Sequence, residues 1–374
     1  MNNNIFLIFN FFHLIFLIYL LSRNRKLPKY LPYFFIITSL PSLFLVGKLF
    51  NIHYMWDISI YLDSIIAVRE LTFDFPNPSS FGFPVPSLKT LSFSLIYSIS
   101  PFFFINDFQS LGLITRLFYY IFILYLYNSN IFRKNKFCLL VLIFSPSILI
   151  YSNLGLREIL VTIFITLYLF FSNEKKFFYL LIILIPLFLI KPQNAIIIVF
   201  FQILFFLLTY NKYNLLRYLL LFIVTLMTYF LFLDQIIELL NFYREALFKE
   251  AGKSDLYSEI NILNILFIGL ISTINFLFSP LPDNIDSITK LTVFVENILL
   301  YFYIAILSVK SFKVNKKQTF FILFLLFFSS FFYGIISIND GAIARWRFPL
   351  VFSTIIYLNY LFQKKFYFSI INNK

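Results

Sequence analysis

Charge is what this sequence lacks most. Only 13% of its 374 residues are Asp, Glu, Lys or Arg, where a soluble domain carries about a quarter. So little charge cannot coat a soluble surface. The single cysteine, Cys138, excludes an intrachain disulfide and any cysteine-based metal cluster. Two histidines, His13 and His53, argue against His-rich metal chemistry, although carboxylates can still hold a divalent cation. No P-loop, G-x-G-x-x-G, H-E-x-x-H or G-x-S-x-G occurs, so nucleotide-driven pumping and serine hydrolysis have no support.

What is present is apolar. The chain is 60% hydrophobic, with a mean hydropathy of +0.87. Phe (56) and Tyr (25) read as lipid-facing filler more readily than as stacking platforms for sugars. The net charge of +13 reflects basic loops of a membrane protein and not a nucleic-acid partner. Thirteen charge-poor runs lie between residues 5 and 363, against the ~20 residues that a spanning helix needs. The first, 5–22, reads as a retained helix, because MNNN supplies no basic segment before it.

Six basic stretches separate these runs: 23–29, 133–136, 174–176, 212–217, 310–317 and the tail from Lys364. They hold 18 of the 30 Lys and Arg but one acidic residue, Glu174. Such a bias places all six in the cytoplasm. Segments 30–132 and 218–309 then contain an odd number of apolar runs, so one run in each must re-enter, lie flat or fail to span; 90–105 and 260–282 are the candidates. The expected fold class is all-α: a polytopic transmembrane bundle of about 11–13 hydrophobic helices. Residues 1–374 form one integral membrane domain, with interfacial helices on the outside. Outer loops 51–89 and 234–259 make its active-site face.

The remaining charged segments fall on the outer side. In the first, Asp57 and Asp63 lie in a stretch where Ile58, Tyr61, Leu62, Ile65, Ile66 and Val68 share a helical face. A carboxylate there is a candidate general base; the plainer reading is a solvated acidic loop. NLGLRE puts Arg157 and Glu158 at a hairpin apex, where Arg157 either grips a phosphate or snorkels. KPQN supplies Lys191. Run 177–190 spans only ~21 Å of a ~30 Å core, so Lys191 and Arg157 should sit below the surface in a wet cavity. In 234–259, Ile236, Leu239, Leu240, Tyr243 and Leu247 repeat at helical spacing. Arg116 reads as structural, snorkelling or pairing with Asp107. In NDGAIARWRFPL, 339–350, Arg345 and Arg347 would share one side only of an extended turn, which Gly341 and Pro349 favour. There they would clamp a phosphate opposite the Asp57 loop. The alternative is a belt residue, Trp346, with two snorkelling neighbours.

The order of these features resembles the GT-C class of polytopic glycosyltransferases and the related O-antigen polymerase-like proteins. The residues that carry it are the D-x-x-x-Y of Asp57–Tyr61, a proline-rich segment, an apolar run near Arg116, FSPSILIYSNLGLRE, FLFSPLP at 276–282 and GAIARWRFP. The resemblance implies glycosyl transfer at the outer face of the bacterial inner membrane, in envelope polysaccharide assembly. Its donor is a saccharide on a polyprenyl (pyro)phosphate and its acceptor a saccharide hydroxyl, with the bilayer as the other partner and no nucleic acid. It puts Asp57 at the catalytic carboxylate position, and Glu158 nearest to a second acidic position. Arg157, Lys191, Arg345 and Arg347 would bind the phosphate. A transporter or flippase of lipid-linked oligosaccharide, without chemistry, is the competing expectation, and a non-catalytic scaffold a third.

Overall fold

The computed structural model describes residues 3–23, 27–44, 56–70, 88–102, 104–105, 107–129, 131–132, 135–209, 234–235, 237–246, 248–249, 258–337 and 340–371. The proline-rich segment after Arg69, residues 218–233 and the side chain of Asp57 lie outside the described residues. Every regular element among the described residues is helical. Among the described residues, four helices are long and apolar enough to cross a membrane, and a fifth span forms if one bent pair is counted. The expected 11–13 hydrophobic helices are thus met in part. Five further apolar helical stretches of 10–17 described residues accompany them.

The chain divides into two compact units, Met1–Asn194 with Phe366–Lys374, and Ala195–Lys365. The first contains α1 (Asn3–Arg23), α2 (Tyr30–Ser39), α3 (Trp56–Arg69), α4 (Leu88–Ser98), α5 (Phe108–Asn128), α6 (Lys136–Phe144), α7 (Pro146–Asn153), α8 (Glu158–Asn173) and α9 (Phe177–Ile190). Helix α5 is its central member, packed by α1, α2, α3, α7 and α8. Asp107 starts it as N-cap, accepting from the Ser110 amide at 2.7 Å, which satisfies one of the open N–H groups of the first turn. Pro146 bends the α6–α7 pair by 49°.

The run 90–105 gives only the 11-residue α4, which ends before Pro101. The backbone beyond it is held by side chains: Arg69 donates to the carbonyls of Phe102 (2.7 Å) and Ser100 (3.1 Å), and His13 meets the carbonyl of Pro101 at 3.1 Å. Irregular backbone at membrane depth survives only with such partners.

The second unit contains α11 (Ile265–Phe278), α12 (Ile288–Phe312), α13 (Lys316–Ile336) and most of α14 (Asp340–Ile371); α10 (Pro192–Thr209) joins the two along the chain. Residues 237–246 are helical, as their spacing predicts, but a different face is buried. Ile237, Leu240 and Arg244 are inside, whereas Leu239 and Tyr243 are about half exposed. Asn241 fixes this orientation by a two-bond clamp on Ile260, each bond 2.8 Å.

Candidate functional site

In the first unit, the NLGLRE apex is built by a helix ending that demands glycine. Helix α7 closes with the Leu156 amide on the Tyr151 carbonyl at 3.2 Å, and Gly155 takes φ +74°. This is the Schellman geometry, in which a left-handed residue turns the chain out of the helix. It delivers Arg157 as N-cap of α8 and Glu158 as its first residue. Glu158 is fully buried and Lys191 almost so, at 5% exposure. Lys191 is the C-cap of α9.

Helices α8 and α9 are antiparallel, joined by the short turn at Glu174–Lys176, and they pack along their length. The N-terminus of α8 and the C-terminus of α9 therefore lie at the same end. A carboxylate at a helix N-terminus and an ammonium at a helix C-terminus are each favoured by the local dipole. That is how this hairpin end tolerates two buried charges. Arg157, beside Glu158, is only half-buried. Arg157 Nε approaches Glu158 Oε1 at 4.0 Å, so the neighbours do contact one another, though their sequence adjacency argues against it. The Arg157 guanidinium also lies over the Tyr61 ring, 5.9 Å from its centroid.

Tyr61 brings α3 to this end. Helix α3 spans Trp56–Arg69, with Tyr61, Leu62 and Ile65 buried, and packs on α4, where Phe93 meets Tyr61 at 4.5 Å. Asp57 stands in the first turn of α3, four residues before Tyr61, which places the two positions on one helical stripe. Asp63 follows Tyr61 by two residues, so it is turned about 200° around the helix, and it is exposed. Partial burial raises its carboxyl above the ordinary carboxylate value, a shift in the direction a general base requires. Tyr61 and Arg157 thus gather at one place with Glu158 and the α9 terminus, while Asp63 faces elsewhere.

The second unit corrects the reading of NDGAIARWRFPL. Described residues 340–350 are helical, the start of α14, so Arg345 and Arg347 point to different faces and form no shared clamp. Pro349 is accommodated inside the helix, where the missing N–H leaves the turn intact but weakens it. Arg347 is buried and donates to the carbonyls of Phe276 (2.9 Å), Leu277 (2.8 Å) and Ser279 (2.8 Å). These are the open carbonyls where α11 breaks at FSPLP, and a guanidinium supplies what lipid cannot. Asp340 accepts from the Ser279 hydroxyl and lies 3.9 Å from Lys290. Arg345 is half-buried.

Arg116 is structural, as its position suggests, but with different partners. It neither snorkels nor pairs with Asp107, whose carboxylate caps α5. Its side chain is fully buried and donates to Ser39 Oγ (3.1 Å), Ser152 Oγ (3.0 Å), Thr38 Oγ1 and the Phe35 carbonyl (3.4 Å). Sequence reasoning missed this ring of oxygens; its one signal was the run of small polar residues Thr38, Ser39 and Ser42 in an apolar segment. Among the described residues, no group of three or more His, Cys, Asp or Glu side chains converges to hold a metal ion. Comparison with protein-family models, with curated proteins and with solved structures finds no match for the chain.

Proposed function

We infer that the chain is a multi-pass enzyme of the bacterial inner membrane that transfers a saccharide from a polyprenyl (pyro)phosphate to an acceptor hydroxyl during envelope polysaccharide assembly. The acceptor oxygen attacks the anomeric carbon, the bond from that carbon to the phosphate oxygen breaks, and the polyprenyl (pyro)phosphate departs with the electron pair. A carboxylate takes the hydroxyl proton. The observation that carries this reading is the contact of Arg157 with Tyr61 and Glu158 at the end of the α8–α9 hairpin that Lys191 also caps. With Lys191 at the same hairpin end, two cations against the one carboxylate of Glu158 give that end a net positive charge, suited to the phosphate charge that develops on the leaving group.

The helical register favours Asp57 over Asp63 as the base, because Asp57 shares the stripe of Tyr61. Arg345 remains a candidate phosphate ligand, and Arg347 serves as a positioning residue for the broken helix. The full-length protein, reconstituted with a radiolabelled lipid-linked saccharide, tests this. Asp57→Asn should lower turnover by about 100-fold or more, and Asp63→Asn by no more than a few-fold. Equal losses, or no loss in either, would sink the assignment.

One observation favours transport without transfer: the polar ring about Arg116 inside the membrane-length helix α5. Release of free polyprenyl phosphate separates the two readings, since a flippase returns its lipid still bonded to sugar.

A further inference from the structure

Between α1 and α2 lies a groove of about 770 Å³. Its polarity is layered along the helices. Arg23, in the last turn of α1, and Lys29, at the start of α2, stand at one end; both line the groove and both are exposed. One turn deeper, Tyr19 and Tyr33 line it, at spacings of four from the respective cations. Deeper again the walls are purely apolar, with Phe16, Phe12 and Ile36. Phe12 to Arg23 is eleven residues, about 16 Å of helix, close to half of the ~30 Å hydrocarbon core. The groove is therefore one leaflet long.

Among the described residues, no acidic side chain pairs with Arg23 or Lys29 at the charged end. Helix α2 has no side-chain cap at Lys29, so its positive N-terminal dipole adds to the two cations. Cation, phenol and aliphatic wall match, in order, the phosphate, glycerol ester and acyl chains of a phospholipid.

We propose that this groove is a binding site for one anionic diacyl phospholipid, its phosphate between Arg23 and Lys29 and its chains along α1 and α2. A groove one leaflet long suits a diacyl lipid better than a polyprenyl chain several times that length. The site is independent of the α8–α9 hairpin end and of any glycosyl transfer.

The test uses the full-length protein, stripped of lipid in neutral detergent, with lipid binding read by native mass spectrometry. The probes are phosphatidylglycerol, phosphatidylcholine and polyprenyl phosphate. Phosphatidylglycerol should bind one equivalent with a preference of about 30-fold over phosphatidylcholine, at about fivefold for each of two basic side chains. The exposed pair Arg23→Gln/Lys29→Gln should erase that preference to within about twofold. Ile15→Trp fills the apolar part and leaves the charges, and should weaken phosphatidylglycerol about tenfold or more. The control Lys316→Gln/Lys317→Gln, in the other unit, should retain the preference. A preference that survives loss of Arg23 and Lys29 overturns the proposal, as does phosphatidylglycerol binding indifferent to Ile15→Trp. Displacement by equimolar polyprenyl phosphate overturns it too, by making that lipid the occupant.

Discussion

Arg116 donates to neutral oxygens, and the three hydroxyls among them are already committed as donors elsewhere. Thr38 Oγ1 donates to the Phe34 carbonyl (2.6 Å), Ser39 Oγ to that of Phe35 (2.6 Å) and Ser152 Oγ to that of Ile148 (2.5 Å). Their lone pairs are left facing inward, and the planar guanidinium fits that ring. Removing the charge leaves every hydroxyl with its own carbonyl. Arg116→Met should therefore change stability by no more than about 1 kcal/mol, because a well-packed apolar residue replaces a desolvated ion. Arg116→Lys keeps the buried charge but reaches fewer acceptors, and should cost about 3 kcal/mol at roughly 1.5–3 kcal/mol per charged hydrogen bond lost. Thermal unfolding in detergent measures both, and a Met variant less stable than the Lys variant would refute the ring as the reason for Arg116. Arg69 and Arg347 follow the same rule, each spent on carbonyls of a broken helix. The sequence flags all three, since charge in an apolar chain is costly. It cannot say whether each faces a ligand or a neighbour's backbone, because a carbonyl looks the same at every position.

Helices here are placed by their breaks as much as by their apolar faces. Lipid-embedded helices gain no hydrophobic energy by meeting one another, so close approach at small residues matters more. Gly112 is such a point on α5: a β-carbon there would overlap the backbone carbonyl of Asn153 on α7. That carbonyl cannot retreat cheaply, because the Asn153 side chain bonds Ser42 Oγ (2.5 Å) and the Thr38 carbonyl (2.9 Å). Gly112→Ala should destabilise the protein by about 1–3 kcal/mol, although Gly→Ala in an unobstructed site stabilises by roughly 0.4–1 kcal/mol. The sign of the shift in unfolding temperature decides it, and a rise would show that α5 and α7 are not in this contact. Periodicity located α3 and the helix at 237–246, because an apolar stripe records its own spacing. It misplaced the buried face of the latter, where the Asn241 clamp sets the rotation. It also made 340–350 a turn on the strength of Gly341 and Pro349, whose local preferences the helix overrides.

At the scale of the molecule, the second unit makes the sidedness that the basic stretches suggest open to a test. Helices α12 and α13 are 25 and 21 residues long, both of membrane length, and Lys313–Asn315 joins them. One crossing up and one back put the start of α12 and the end of α13 on one side, and the turn on the other. The Lys290–Asp340 contact at 3.9 Å independently brings the starts of α12 and α14 to one end. The turn belongs to the basic stretch 310–317; on the proposed reading, the positive-inside bias puts it in the cytoplasm and Arg345 near the outer face. Cys138 is buried and the only cysteine, so a Cys138→Ser background is silent to thiol reagents. In that background, Asn284→Cys and Gly341→Cys, both exposed positions, should react with a membrane-impermeant maleimide in intact cells. Lys313→Cys should react only after permeabilisation. Labelling of position 313 from outside would invert the unit and put Arg345 at the cytoplasmic face. A donor that presents its sugar on the outer side could not then reach Arg345, and its role as a phosphate ligand would fall. Reactivity of 284 and 341 from opposite sides would break the two-crossing argument itself, since only an odd number of crossings between them permits it.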